Sequence, residues 1–363
     1  MSKPCKFLIM AAGTGGHVFP ALAIAKALLA KGHCVEWLGT PKGMEQSIVR
    51  DNGIALHAIT MKGFRGKSLM HKLLIPFLLI KSLLQVIAVI ARVKPNVIVG
   101  FGGYIAVPGG LAAKLMFKKL IIHEQNSVAG SANKLLAKIA DAVLVAYPDV
   151  LPNSQYVGNP VRESIRLLHK KESTRASDEN KKILVMGGSL GAQAINHLVP
   201  HAFNALQESL DLSIWHQTGK GKLASTQALY SEAIKKLKIE EFVSDVEAAY
   251  QWADIIICRA GALTVSELTI AGLPAVFIPL PHAIDNHQTM NAKWLVDQDA
   301  AILIEQKNLS KEVLIEQLSI LLNDKNKLND CSNKLKNIAK VDATDVVTTI
   351  CESYCSGVQH HAA

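Results

Sequence analysis

Hydrophobic positions in this chain come in short runs separated by glycine turns and helical stretches. Phe7, Leu8, Ile9 and Met10 form an apolar run bounded by glycines, the pattern of a strand buried on both faces. Residues 21–30, rich in alanine and leucine, then predict a helix. Further apolar runs at 34–38, 96–99, 120–123 and 142–145 alternate with helical stretches, which predicts a doubly wound parallel sheet. Residues 169–182 are polar without an apolar period and read as a solvated loop near a domain boundary. The pattern restarts at 183–186 with a second strand, glycine turn and helix, and continues through strand-like runs at 254–258 and 272–279. Two halves of this kind predict two Rossmann-like domains facing a cleft. Ligands of such sheets bind beyond the carboxyl ends of the strands, where both glycine turns would lie.

One stretch breaks this rhythm. Residues 73–91 are almost wholly apolar apart from Lys81, with His71, Lys72, Arg92 and Lys94 on their flanks. The length approaches that of a membrane span. A lysine near the centre, Pro76, and continuing strands on both sides argue instead for a helix packed on the sheet with an exposed apolar and basic face. Lys62, Arg65 and Lys67 just before it extend a surface suited to anionic lipid. A wholly buried helix is the alternative.

Composition narrows the class. A chain of 363 residues with 49% hydrophobic and 19% charged positions is large enough for two cores, and its few aromatics leave them to Ala, Ile, Leu and Val. A net charge of +9 favours an anionic partner: nucleic acid, an acidic membrane face or a phosphorylated substrate. The six cysteines, Cys5, Cys34, Cys258, Cys331, Cys351 and Cys355, contain no Cys-x-x-Cys pair and read as reduced thiols rather than disulfides or zinc ligands. The N-terminal apolar run is too short for a secretion signal and reads as the first strand.

The glycine turns carry the first chemistry. Gly13, Gly15 and Gly16 lie between strand and helix, where backbone N–H groups and the helix dipole favour a diphosphate. The spelling departs from a dinucleotide fingerprint, because Val18 stands at the third glycine position. His17, at the mouth of the turn, is its one side chain able to move a proton near neutral pH; a protonated phosphate-binding role is the alternative. In the second half, residues 259–262 form a small-residue turn before a helix that carries Glu267, suited to both hydroxyls of a ribose or to a helix-start role. Residues 281–291 gather imidazole and amide side chains in one turn, and Gln288 and Asn291 can each donate to and accept from a sugar. No metal site stands out: Asp297 and Asp299 read as surface charge, and Pro200 separates His197 from His201.

Gly13-Thr14-Gly15-Gly16-His17, Gly102-Gly103-Tyr104, His123-Glu124-Gln125-Asn126, Gly158-Asn159-Pro160-Val161-Arg162, Gly187-Gly188-Ser189 and 258–267 with Gly272-Leu273-Pro274 closely resemble the MurG family of peptidoglycan glycosyltransferases. These motifs occur in the family's order over nearly the whole chain. The resemblance implies an α/β GT-B fold of two facing Rossmann-like domains, an N-terminal acceptor and membrane-facing domain at 1–162 and a UDP-sugar domain at 163–341, with a C-terminal helix at 342–363 that packs back on the first. It implies transfer of N-acetylglucosamine from UDP-N-acetylglucosamine (UDP-GlcNAc) to the C4 hydroxyl of the muramyl sugar of lipid I, with inversion, to give lipid II. Donor contacts would be Thr14, Gly15, Gly16, Asn126, Arg162, Ser189, the backbone at Val243, Ala262, Leu263, Thr264, Val265, Ser266, Glu267 and Gln288. Gly13, Gly102, Gly103 and Tyr104 would meet the acceptor diphosphate. The general base would be His17, with Glu124 as the alternative. No cofactor, metal or nucleic acid is implied; the location would be peripheral, on the cytoplasmic face of the inner membrane. His287 stands where the family has a second glutamine, in a loop one residue longer, which weakens the assignment of Gln288. A UDP-sugar transferase with another acceptor, and a non-enzymatic nucleotide- or membrane-binding module, are the competing readings.

Overall fold

The computed structural model describes residues 4–61, 75–170 and 180–355. Lys62, Arg65, Lys67, His71, Lys72, residues 73–74 and most of the polar stretch, 171–179, lie outside the described residues. Two compact units emerge: Met1–Arg162 together with Asp342–Ala363, and Glu163–Val341.

In the first unit seven parallel strands, β1 (Lys6–Met10), β2 (Cys34–Gly39), β3 (Ala55–Ala58), β4 (Val97–Gly100), β5 (Lys119–Glu124), β6 (Ala142–Val145) and β7 (Gln155–Tyr156), lie in the order β3-β2-β1-β4-β5-β6-β7. The central strands are buried on both faces, which is why they read as unbroken apolar runs. The order reverses between β1 and β4, so the loops after those two strands flank the switch point where α/β sheets bind ligands. The helices that bear on the site are α1 (Gly15–Ala30), α2 (Glu45–Asp51), α3 (Ile75–Val93), α4 (Ala106–Leu115) and α5 (Ser131–Leu136).

Helix α1 begins six residues before the expected start at Ala21, inside the glycine turn, and passes through Pro20. Glycine and proline read as breakers in sequence. Here a long, buried face (Val18, Ala21, Leu22, Ala25, Leu28) anchors the helix and overrides their propensity. Helix α3 buries Ser82, Val86, Val89, Ile90 and Val93, while Phe77, Ile80, Lys81 and Leu84 face outward. Among the described residues no helix is long and apolar enough to cross a membrane.

The second unit carries six parallel strands, β8 (Asn180–Met186), β9 (Asp211–Gln217), β10 (Lys236–Glu240), β11 (Ile255–Cys258), β12 (Ala275–Phe277) and β13 (Ile302–Leu303), in the order β10-β9-β8-β11-β12-β13. Asn180, Lys181 and Lys182 belong to β8 and not to the preceding polar loop. Again the order reverses beside the first strand, between β8 and β11. Its relevant helices are α6 (Gln193–Leu206), α7 (Ala262–Ala271) and α8 (His287–Val296).

The last described helix, α9 (Ala343–Ser353), belongs to the first unit and packs on α1. Val347 and Cys351 enter the core around Phe7 and Trp37, and burying a valine side chain of this kind contributes ~1.5–3 kcal/mol. Lys31 Nζ and His33 Nε2 meet the two carboxylate oxygens of Glu352 at 2.6 and 3.0 Å. Cys5 and Cys355 are joined in a disulfide, which corrects the expectation of six reduced thiols. The fold-back of α9 beside β1 brings these distant positions to a Cα separation of 6.2 Å. Cys34, Cys258, Cys331 and Cys351 are free.

Candidate active site

At the end of β1 the chain turns through Gly13 at φ +101°, a conformation that suits glycine. Thr14 is the N-cap residue of α1 without using its side chain, and no acidic residue occupies the first turn. The start of α1 therefore carries partial positive charge with no acidic side chain of its own first turn to offset it. Within that first turn the backbone N–H of His17 donates to Thr14 O at 3.0 Å. The His17 ring lies against Gly102, where a Cβ would stand 3.2 Å from ring Cδ2 and Nε2. Gly103, at φ +80°, approaches Ala12 so closely that a Cβ would stand 2.6 Å from its carbonyl oxygen. Tyr104 flanks Gly13. The structure thus brings Gly13, His17, Gly102, Gly103 and Tyr104 together at the switch point of the first sheet.

Glu124 ends β5 and is 2% exposed. Its Oε1 accepts from the Asn126 backbone N–H (3.0 Å) and Nδ2 (3.2 Å), and its Oε2 accepts from the Gly130 N–H (3.0 Å) and Asn133 Nδ2 (2.9 Å). Both oxygens are engaged in holding the loop and the start of α5. Its neighbour His123 is wholly buried, and burial pushes its imidazole down to about 4, so it is neutral. His123 Nε2 pairs with Gly158 O at 2.9 Å, and Nδ1 accepts from Gln125 Nε2 at 3.0 Å. Most of this motif is therefore scaffolding, with Asn126 its half-buried exception. Arg162, exposed at the end of the first stretch of this unit, holds its guanidinium 5.6 Å from the ring centroid of Phe19 on α1.

In the second unit β8 runs into Gly187-Gly188-Ser189-Leu190-Gly191. Gly188 and Gly191 have φ of +85° and +68°, and Gly191 N donates to Gly188 O at 2.8 Å. Ser189 stands exposed on this turn. Gln217, which the sequence reading passed over, donates through Nε2 to Gly188 O (3.1 Å) and Glu241 O (2.9 Å). It couples the glycine turn to the loop carrying Val243. No periodicity marks a buried glutamine at a strand end as a brace, so only its position beside Gly188 exposes the role.

Helix α7 starts at Ala262 after Gly261, again without a side-chain cap or an acid in its first turn. Glu267 lies a turn further in, which removes the helix-start role as its explanation. Its carboxylate is 4% exposed, and Oε2 accepts from Tyr250 OH at 3.2 Å. Leu263, Thr264 and Ser266 are partly exposed, but Val265 is wholly buried and its N–H donates to Gly261 O at 2.9 Å. The Val265 side chain thus belongs to the core face of α7. Residues 287–290 are the first turn of α8 and not a loop. Gln288 there is half-buried, with Oε1 accepting from Leu280 N at 3.0 Å. Asn291, expected as a sugar contact, is wholly buried and donates to Ala260 O at 3.2 Å, tying α8 to the turn before α7. Arg259, also missed, donates to the carbonyls of Ile278 and Pro279 and to Gln306, fixing the loop that leads to Gln288.

Among the described residues no cluster of three or more His, Cys, Asp or Glu is arranged to hold a metal. Taken by itself, the first unit offers oriented backbone N–H groups and an imidazole, suited to a diphosphate and a hydroxyl proton, and the second offers N–H groups, hydroxyls and the Glu267 carboxylate, suited to a diphosphate and a ribose.

Residues 7–145 match the glycosyltransferase family 28 N-terminal domain, and residues 182–347 match the glycosyltransferase family 28 C-terminal domain. The chain is 44% identical over 359 residues to the UDP-N-acetylglucosamine--N-acetylmuramyl-(pentapeptide) pyrophosphoryl-undecaprenol N-acetylglucosamine transferase of Shewanella loihica, covering 98% of this chain and 99% of that one. The enzyme of the same description from Shewanella denitrificans is 46% identical over 352 residues, 95% of this chain and 96% of its own. The crystal structure of Acinetobacter baumannii MurG is similar with a TM-score of 0.82 and 39% identity, over 96% of this chain and 100% of that one. The calicheamicin glycosyltransferase CalG4, at 13% identity, shares the fold with a TM-score of 0.72 over 99% of this chain and 100% of its own.

Proposed function

The chain belongs to glycosyltransferase family 28 and, within it, to the MurG N-acetylglucosaminyltransferases, and from that premise we propose how its residues perform the transfer. The protein moves N-acetylglucosamine from UDP-GlcNAc to lipid I, forming lipid II. The C4 hydroxyl oxygen of the muramyl sugar attacks the anomeric carbon. A C–O bond forms there, the bond to the UDP oxygen breaks, UDP leaves with the electron pair, and the α linkage becomes β. His17 takes the hydroxyl proton as general base.

The observation that carries this assignment is the setting of His17, in the first turn of an uncapped, acid-free helix, with its ring against the second glycine turn. Amides at the start of α1 and the turn at Gly102, Gly103 and Tyr104 hold the acceptor diphosphate beside it. Thr14, Gly15, Gly16, Asn126 and Arg162 contribute to the donor from this unit. In the other unit Ser189 and the start of α7 (Ala262, Leu263, Thr264, Ser266) hold the donor diphosphate, Glu267 takes the ribose hydroxyls, the Val243 backbone reads the uracil, and Gln288 meets the sugar. Helix starts and Arg162 stabilise the charge that develops on UDP.

The outward face of α3 rests on an anionic membrane in this reading, at the cytoplasmic side of the inner membrane where lipid I lies. Phe77 is 72% exposed and Leu84 61%, with Lys81 and Arg92 on the same helix. Phe117, 97% exposed, follows α4, which packs against α3. Large exposed apolar side chains beside lysines suit the membrane interface. Transfer of labelled N-acetylglucosamine from UDP to a lipid I analogue tests the whole assignment. Wild-type product with collapsed turnover in His17→Ala supports it; near-normal turnover of the variant at saturating substrates removes His17 as base.

A further inference from the structure

Beneath the first glycine turn lies a carboxylate that the reaction described above does not use. Glu45, the first residue of α2, is wholly buried. Its Oε1 accepts from the Thr40 backbone N–H at 2.9 Å and from Thr40 Oγ1 at 2.6 Å. Its Oε2 accepts a longer hydrogen bond, 3.4 Å, from the N–H of Gly13. Two glycines make room for it: a Cβ on Gly43 would overlap the carboxylate, and one on Gly39 would stand 3.0 Å from Glu45 Cγ.

Burying a carboxylate is costly unless donors converge on it, and an α/β core does not need a charge between β2 and α2. The apolar neighbours Ile48, Val49 and Leu56 already pack there. Of the three donors, one is the first residue of the turn at the switch point. The same turn is held by two further contacts: Trp37 Nε1 donates to Ala11 O at 2.9 Å, and Gly103 closes on Ala12 O. Glu45 is the charged one of these three restraints.

We propose that Glu45 is a positioning residue that sets the register of the acceptor diphosphate on the glycine turn; the inference rests on the placement of that diphosphate at Gly13–Gly16. With the Gly13 N–H drawn inward to the carboxylate, a second anion is directed onward to the amides at the start of α1. That register keeps the muramyl sugar within reach of His17, whose own N–H is bonded to Thr14 O in the same turn.

Glu45→Gln tests this by keeping shape and removing one acceptor. A glutamine oxygen can serve Thr40, but its NH2 then faces the Gly13 N–H donor to donor. Gly43→Ala displaces the carboxylate without altering charge. Both variants are assayed for lipid I kinetics, UDP affinity by calorimetry and thermal midpoint, with His17→Ala alongside. The expected result is at least a tenfold loss of kcat/KM for the acceptor, mainly through KM, with UDP affinity within twofold of wild type. Acceptor kcat/KM within twofold of wild type in both variants overturns the proposal, as does a parallel loss of acceptor kcat/KM and UDP affinity. If Glu45→Gln does not fold, Gly43→Ala decides by the same criteria. Wild-type acceptor kinetics in His17→Ala would instead remove the acceptor placement, and this inference with it; impaired His17→Ala beside unaffected Glu45→Gln and Gly43→Ala overturns this inference alone.

Discussion

The two units open alike, with a buried strand, a glycine turn and an uncapped helix, yet their turns are furnished for different work. After β1 the turn holds an imidazole at the helix start and a buried carboxylate beneath. After β8 it holds an exposed serine, with the neutral amide of Gln217 behind it. A titratable group able to take a proton stands on the first turn, while the second offers only hydroxyl and amide groups. The shared architecture supplies oriented N–H groups at both switch points, and in the function proposed here the side chains decide which turn reacts and which one holds.

That division can be broken by experiment. The largest effect is expected for His17→Ala, a loss in kcat of roughly 10²–10⁴-fold with UDP affinity retained, measured by steady-state transfer and calorimetry. Loss of UDP affinity in place of kcat would erase the contrast. Glu267→Ala should do the reverse, weakening UDP about 10- to 100-fold, because hydrogen bonds to a charged group contribute ~1.5–3 kcal/mol. An unchanged dissociation constant would remove Glu267 from the ribose.

Each unit also carries a neutral buried histidine, which makes their acid responses comparable. Burial pushes His123 from 6.5 to about 4 and His216 from 6.5 to about 3. Below the unfolded value the unfolded chain binds protons that the folded chain refuses, so stability falls as pH drops through 6.5. At pH 5 each site should cost about 2 kcal/mol relative to neutral pH. Chemical denaturation at the two pH values checks this; equal stability would mean that neither imidazole is held neutral by burial, and a loss of about 2 kcal/mol in all would mean that only one is. The smallest effect on chemistry is expected from Phe77→Asp with Leu84→Asp, which should abolish binding to anionic vesicles and leave transfer to a water-soluble acceptor within about twofold, since charges on an interfacial helix oppose insertion. Retained vesicle binding would move the membrane face elsewhere.

Much of the fold was legible because parallel strands buried on both faces, such as β1, β4 and β11, leave unbroken apolar runs between glycines. Strand β10, Lys236-Leu-Lys-Ile-Glu240, escaped because an edge strand alternates charge with apolar residues and resembles a helix or loop. The start of α1 was missed because glycine and proline speak for a break, where tertiary burial prevails. In each unit the turn residues announced themselves through glycine, whereas Glu45, Gln217 and Arg259 are ordinary polar residues whose importance appears only in the folded unit, where their hydrogen bonds brace the turn or loop beside them. Asn291 shows the opposite case, since an amide that suits a sugar in sequence is wholly buried and ties α8 to the turn before α7.

The central claim is that the first turn moves a proton. Rescue of His17→Ala by added imidazole tests it most directly. If His17 is the general base, transfer to lipid I recovers with the concentration of neutral imidazole and recovers more as pH rises. Rescue that follows the imidazolium ion and strengthens as pH falls would contradict the account, making His17 a cationic ligand of the diphosphate.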